Sequence, residues 1–393
     1  MVEGKALNRW HAAVFICFTF LGMGIAALVT RMPEIKSSLG VSTSQLGVLL
    51  LLGSLGSIGA LMFNGRLIER FGTKPVLIVS TAIFTVSLVV TAIVILNHYI
   101  FATAVLLFIS FASYATADIS INVDASQIEK ILRKSVLPRM HAAYSLGAFL
   151  GAGIATAAIE LNLDLVQLLS VIGGTSVVIT VAATRFQPSH VGQQAHHKDK
   201  SIEKVKSESV WKDPIVILLG IGVLGITVTE GAASDWLAIG FTEGHGQTLT
   251  SAGIAMTVFN VAMALVRFFG GKLVDKYGRK NMIRIFALTG IVGLLLVILA
   301  NNLVLALCGA ALWGAGVALG FPLFISAAGE GNNAAKKVSL VAAFGYMAFL
   351  IGPPALGLLA ENVGILNMFY VLVAALAVAI YFAKATQSKV GSN

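Results

Sequence analysis

Gly65-Arg-Leu-Ile-Glu-Arg-Phe-Gly-Thr-Lys74 and Gly271-Lys-Leu-Val-Asp-Lys-Tyr-Gly-Arg-Lys280 are one decapeptide written twice: Gly, base, Leu, aliphatic, acid, base, aromatic, Gly, a free position, Lys. Each copy stands where one apolar stretch ends and another begins. The copies lie 206 residues apart (271 − 65), about half of the 393-residue chain. Self-similarity at a fixed spacing marks a repeated structural unit, and the flanking stretches make that unit a membrane one.

Composition agrees. The chain is 57% hydrophobic and 11% charged, with a mean hydropathy of +0.89, against roughly 25% charged residues in soluble domains. Apolar stretches are predicted near 10–30, 44–64, 75–97, 99–122, 138–160, 163–186, 213–240, 248–269, 281–300, 302–324, 337–360 and 365–384. Each is long enough to cross ~30 Å of hydrocarbon at ~1.5 Å per residue. A lipid-embedded span must satisfy its own backbone. Unbroken runs of this length read as helices, since barrel strands would alternate over ~10 residues. The expected fold is all-α, with twelve transmembrane helices in two pseudo-symmetric six-helix halves: 1–186, a cytoplasmic linker 187–212, and 213–393.

The net charge of +9 is a topology signal and calls for no nucleic-acid partner. With the N-terminus inside, only Arg31 and Lys36 of the 27 Lys and Arg fall in outer loops. That bias places both termini in the cytoplasm. The first apolar run spans a full bilayer with no small-residue cleavage pattern after it, so it reads as a retained helix. Cys17 and Cys308 both fall in predicted helices and read as packing residues. The linker carries Lys198, Lys200, Lys204, Lys206 and Lys212 with His190, His196 and His197, and reads as a flexible basic tether without a metal. The duplication recurs in Ala142-Ala-Tyr-Ser-Leu-Gly-Ala-Phe-Leu150 and Ala342-Ala-Phe-Gly-Tyr-Met-Ala-Phe-Leu350. Repeats of this kind put an expected solute site near the bilayer midplane.

The two decapeptides resemble the signature loops of the major facilitator superfamily, a Gly-x-x-x-Asp-x-x-Gly-Arg-Lys pattern after the second and eighth helices. Gly271, Asp275, Gly278, Arg279 and Lys280 match it. The first copy, with Gly65, Arg70 and Gly72, has Glu69 for the Asp and Thr73 for the Arg. The resemblance implies a conformational gate at these residues, closing the cytoplasmic side in one transport state. Physically, the glycines allow a tight turn and the acids can pair with bases or a helix N-terminus.

Asp118-Ile-Ser-Ile-Asn122 and the Ser-x-Gly of His141-Ala-Ala-Tyr-Ser-Leu-Gly147 are similar to the fucose permease branch of that superfamily. Asn122-Val-Asp124, His141-x-x-Tyr-Ser-Leu-Gly147, Glu230-Gly-x-x-x-Asp-Trp236 and Gly320-Phe-Pro322 resemble bacterial inner-membrane facilitator proteins of uncertain substrate. The fucose likeness implies proton coupling at Asp118. One position departs: that branch has a first-helix acid four residues before a Pro, and here Val29 stands four before Pro33.

Acids inside a membrane are functional candidates by default. Asp118 and Glu230 are the expected proton-coupling residues. Asp124 and Asp235 fall nearer the ends of their spans and are expected to be solvated. Asn122 follows Asp118 on one helix face, and Ser234 follows Glu230. Asn122, His141, Tyr144, Ser234 and Trp313 are the expected solute-binding residues, with Trp313 able to stack on a sugar ring. Trp236 is expected to anchor at the membrane interface. No Walker loop, zinc pair or nucleophile elbow is present, so neither an enzyme nor a cofactor is expected. The leading expectation is a proton-coupled symporter of a small polar solute such as a sugar, working as a monomer in a bacterial inner membrane. The alternatives are a proton-driven exporter of drugs or metabolites, and a non-transporting membrane sensor.

Overall fold

The computed structural model describes residues 4–132, 134, 136–193, 213–330 and 333–387. Most of the basic tether, including His196, His197 and its five lysines, lies outside them. The chain divides into two compact units, Met1–His197 and Lys198–Asn393. Among the described residues, twelve helices are long and apolar enough to cross a membrane.

The first unit holds α1 (Gly4–Thr30), α2 (Met32–Leu39), α3 (Thr43–Phe71), α4 (Thr73–Leu96), α5 (Ile100–Leu132), α6 (Leu137–Glu160) and α7 (Leu165–Thr184). Here α2 is a short helix where the sequence reads as a loop. Pro33 suits its first turn, and Gly40, at φ 63°, ends it by donating to the Lys36 and Ser37 carbonyls. Ser42 and Asp164 open α3 and α7 with capping boxes.

The second unit holds α8 (Pro214–Ala232), α9 (Leu249–Tyr277), α10 (Arg279–Leu299), α11 (Leu303–Val317), α12 (Gly320–Ala328), α13 (Ala334–Val363) and α14 (Ile365–Phe382). α8 runs on into two π-helical turns, Ala233–Leu237 and Gly240–Gly244, a widening often found at functional sites. The expected tenth span is two helices, α11 and α12, with the break beside Gly320-Phe-Pro322.

Both decapeptides are more helical than their polarity suggests. α3 continues past 64 to Phe71 and α9 past 269 to Tyr277. Leu, Arg, Lys and Glu are good helix formers, and nothing stops the helix until a glycine takes a positive φ. Gly72 (φ 80°, ψ 165°) and Gly278 (φ 78°, ψ 156°) do so with one geometry, their N–H groups donating to Ile68 and Val274. Those acceptors again lie 206 apart (274 − 68), so the repeat is kept in the backbone as well as in the letters.

Within the first unit α1 and α6 pack with their backbones in contact. A Cβ on Gly147 would lie 1.8 Å from the Thr19 carbonyl oxygen, on Gly151 2.3 Å from that of Met23, and on Gly22 2.2 Å from that of Tyr144. Small residues permit such approach where water supplies no driving force between helices. The outer faces stay apolar, with Met62, Phe63, Phe101, Phe268 and Phe269 exposed, as a lipid-facing surface requires.

Candidate functional site

Each unit carries a polar cluster on its transmembrane helices that involves a candidate proton-coupling acid. In the first, Tyr114, Asp118 and Asn122 recur every four residues on α5 and so share a face. All three are half-buried. The Asn122 side chain donates to the Asp118 backbone oxygen (2.9 Å) and to its Oδ1 (3.2 Å). Tyr144 of α6 joins the stripe through a hydroxyl–hydroxyl hydrogen bond of 2.7 Å to Tyr114. His141, one turn earlier on α6, is exposed and lies edge-on to Phe18 at 5.7 Å. Asp118 forms no ion pair among the described residues. Tyr114 is absent from the expected site, although its place four residues before Asp118 is readable in the sequence.

In the second unit Glu230 of α8 pairs with Arg267 of α9, Nη2 to Oε1 at 2.8 Å. Arg267 also donates through Nε to the Ala318 carbonyl (3.1 Å), at the break between α11 and α12. One guanidinium thus ties three elements together. The sequence signal for it is a lone base in Val261-Ala-Met-Ala-Leu-Val-Arg-Phe-Phe-Gly270, which reads at first sight as a helix-end charge. Ser234 and Asp235 follow Glu230 in the first π turn, both half-buried.

Three residues lie deeper than their place in the sequence suggests. Trp313 is fully buried, crossed edge-on by Phe259 (5.9 Å) and Phe369 (5.3 Å), so its ring faces are occupied by protein. Trp236 is fully buried too, because the π turn carries it into the core of its unit. Asp124 is fully enclosed rather than solvated, because α5 extends eight residues beyond it to Leu132.

A family model of the Major Facilitator Superfamily matches residues 14–331 and again 236–391. The chain belongs to this superfamily. An uncharacterized transporter of Sinorhizobium fredii is 29% identical over 95% of this chain and 98% of its own. An uncharacterized MFS-type transporter of Yersinia pestis is 25% identical over 88% of each. Among solved structures, a variant of the nucleoside transporter NupG has a TM-score of 0.76 at 14% identity, over 98% of this chain and 100% of that one. A variant of the Escherichia coli fucose:proton symporter FucP has a TM-score of 0.61 at 15% identity, over 96% and 98%. These structures share the fold.

As a Major Facilitator transporter the chain moves a small molecule across a membrane and is not an enzyme. Its signature loops sit at two helix junctions. Gly65, Glu69 and Arg70 lie on the last turns of α3, and Gly72 makes the turn into α4. Gly271 and Asp275 lie on the last turns of α9, Gly278 makes the turn, and Arg279 and Lys280 open α10. Arg70 stacks on Phe71 at 5.1 Å. Arg279 pairs with Glu330 at 2.5 Å.

Proposed function

We propose that the chain is a proton-coupled symporter of a small polar solute, possessing its proton site at Asp118 and working by alternating access. The observation that carries this reading is the stripe Tyr114–Asp118–Asn122 with Tyr144. It sets one carboxyl, without a cation beside it, among hydroxyl and amide groups that can each hydrogen-bond a polyol, a sugar or a nucleoside. A solute hydroxyl that competes for the Asp118 oxygens changes how tightly that carboxyl holds a proton. By linkage, the proton changes how tightly the solute is held. His141 stands at the exposed end of the stripe as a further solute contact.

Glu230 takes a second place in this scheme. Its partner Arg267 supplies a full opposite charge, so it serves as a switchable ion pair with Ser234 at its side. Gly65, Glu69, Arg70, Gly72, Gly271, Asp275, Gly278, Arg279 and Lys280 form the proposed conformational gate. The likeness to NupG and FucP is consistent with a polar solute, and bacterial relatives with the inner membrane. The proposed arrangement has both termini in the cytoplasm and the single chain as the working unit.

The test is uptake into liposomes, after a thermal-shift screen of sugars, nucleosides, amino acids and lipophilic cations has supplied a solute. Wild type should concentrate the solute on an imposed proton gradient. Asp118→Asn should keep counterflow and lose concentration. An Asp118→Asn protein that still accumulates solute on the gradient removes the proposed role. Hits confined to lipophilic cations turn the reading towards export.

A further inference from the structure

The two signature loops differ at one chemical position, and their contacts differ with it. In the second unit Arg279 pairs with Glu330. The corresponding residues of the first unit are Thr73 (279 − 206) and Asp124 (330 − 206), and they too are in contact, Thr73 Oγ1 donating to Asp124 Oδ1 at 3.1 Å. The partnership is kept while its cation is gone. The other Asp124 oxygen accepts from Gln187 Nε2 at 2.7 Å. The Trp10 indole N–H, buried and without a full hydrogen-bond partner, is directed at the same carboxyl. Asp124, Thr73 and Gln187 are each at most 4% exposed.

Of the charged side chains on the helices around this carboxyl, Arg9 and Glu129 have partners of their own. On α1, Arg9 lies over Phe186 at 5.9 Å and His11 is within electrostatic reach of Arg139. From α1 the Trp10 indole is directed at Asp124, while the Cys17 thiol is hydrogen-bonded with Thr180 of α7. On α5, Glu129 accepts the Val136 and Leu137 N–H groups. From α4 the facing group is Thr73, and beyond α7 it is Gln187. Asp124 forms no ion pair among the described residues.

An enclosed carboxylate calls for a cation, and Asp124 is enclosed with none paired to it among the described residues. The arrangement accommodates the neutral acid. A hydroxyl both donates and accepts, so Thr73 can donate to a carboxylate or accept from a carboxylic acid at Oδ1. Oδ2 remains an acceptor for Gln187 throughout. Arginine has donors only and would hold the anion permanently, as Arg279 holds Glu330.

The cage is closed by the segment 187–193. Thr73 donates its N–H to the Val191 carbonyl (2.9 Å), Gln193 reaches the Arg70 carbonyl (3.4 Å), and His190 Nδ1 meets Gln193 Oε1 (2.6 Å). A Cβ on Gly192 would fall 2.5 Å from Ile68 and 3.3 Å from the Thr73 methyl. The segment therefore lies flat on the Gly72 turn and covers the carboxyl.

We propose that Asp124 is a second proton-binding site, apart from Asp118, whose neutral form clamps segment 187–193 onto the first signature loop and whose ionised form releases it. Thr73 in place of arginine is what makes the site titrate. The proton goes from solvent to Oδ1 as the segment closes, and leaves by the same path.

Hydrogen exchange by mass spectrometry on the purified full chain tests this without any solute. The probes are the Thr73 amide and the peptide spanning 187–193, corrected for intrinsic exchange. Wild-type protection should fall by about tenfold per pH unit above the transition, the limit for one linked proton. Asp124→Asn reproduces the donor and acceptor pattern of the neutral acid, so it should stay protected at every pH. Thr73→Val keeps the side-chain shape and removes the hydroxyl. Since the anion has more to lose from a missing donor, its transition should move to higher pH. A flat wild-type profile overturns the proposal, as does an Asp124→Asn protein that still responds to pH. If Asp124→Asn does not fold, an unshifted Thr73→Val transition overturns it.

Discussion

Glu230 and Arg267 form a 2.8 Å ion pair between neighbouring helices, with both side chains about four-fifths covered (21% and 19% exposed). Breaking such a pair leaves a charge that membrane-embedded protein cannot solvate well. Arg267→Ala should therefore cost more thermal stability in detergent than Arg267→Ala with Glu230→Gln. The coupling in the double-mutant cycle is expected to be about 1–3 kcal/mol. Additive losses would mean that the pair contributes no energy of its own.

Trp313 should behave as core. Trp313→Ala is expected to lose about 3–5 kcal/mol and Trp313→Phe less, with solute affinity unchanged in whatever fraction folds. A weakened solute affinity at an unchanged melting temperature would return this indole to the solute path.

Tyr144→Phe leaves the Tyr114 hydroxyl without its partner. The stability loss should be about 1 kcal/mol. Under the symport reading, solute affinity falls by up to about tenfold while uptake stays proton-driven. A variant indistinguishable from wild type in both measurements separates the hydroxyl pair from the site.

Asp213, just before α8, bonds Lys337 at 2.8 Å. That hydrogen bond is the main reason its carboxyl is held below the usual carboxylate range, with the Ile215 N–H adding to it. A lowered folded-state value means the contribution is complete above the unfolded carboxylate range, ~3.9, and is lost as pH falls through the lower folded value. Both groups are partly exposed, so the effect is at most about 1 kcal/mol. Asp213→Asn should flatten the acid side of the melting-temperature profile and leave neutral pH almost untouched. An unchanged acid side would remove the assignment.

The helices were legible because hydrophobic length is the strongest signal a membrane chain carries, and the repeat because charged residues are sparse enough for Glu69 and Asp275 to stand out. Asp118 and Asn122 share their stripe as helical spacing predicts. What stayed hidden depends on depth and partners. Distance along a span places Asp124 near water, yet the onward run of α5 and the fold-back of residues 187–193 enclose it. Trp236 reads as a boundary residue until a π turn, which has no sequence marker here, changes the register behind it. Arg267 hides among apolar neighbours because its partner Glu230 is 37 residues away (267 − 230), a distance no local pattern spans.

The seam between α1 and α6 has a consequence for motion. Where Gly22, Gly147 and Gly151 meet facing carbonyl oxygens, not even one added carbon fits, and so tight a joint has no second packing to slip into. Whatever rearranges while a solute crosses, these two helices travel as a single girder.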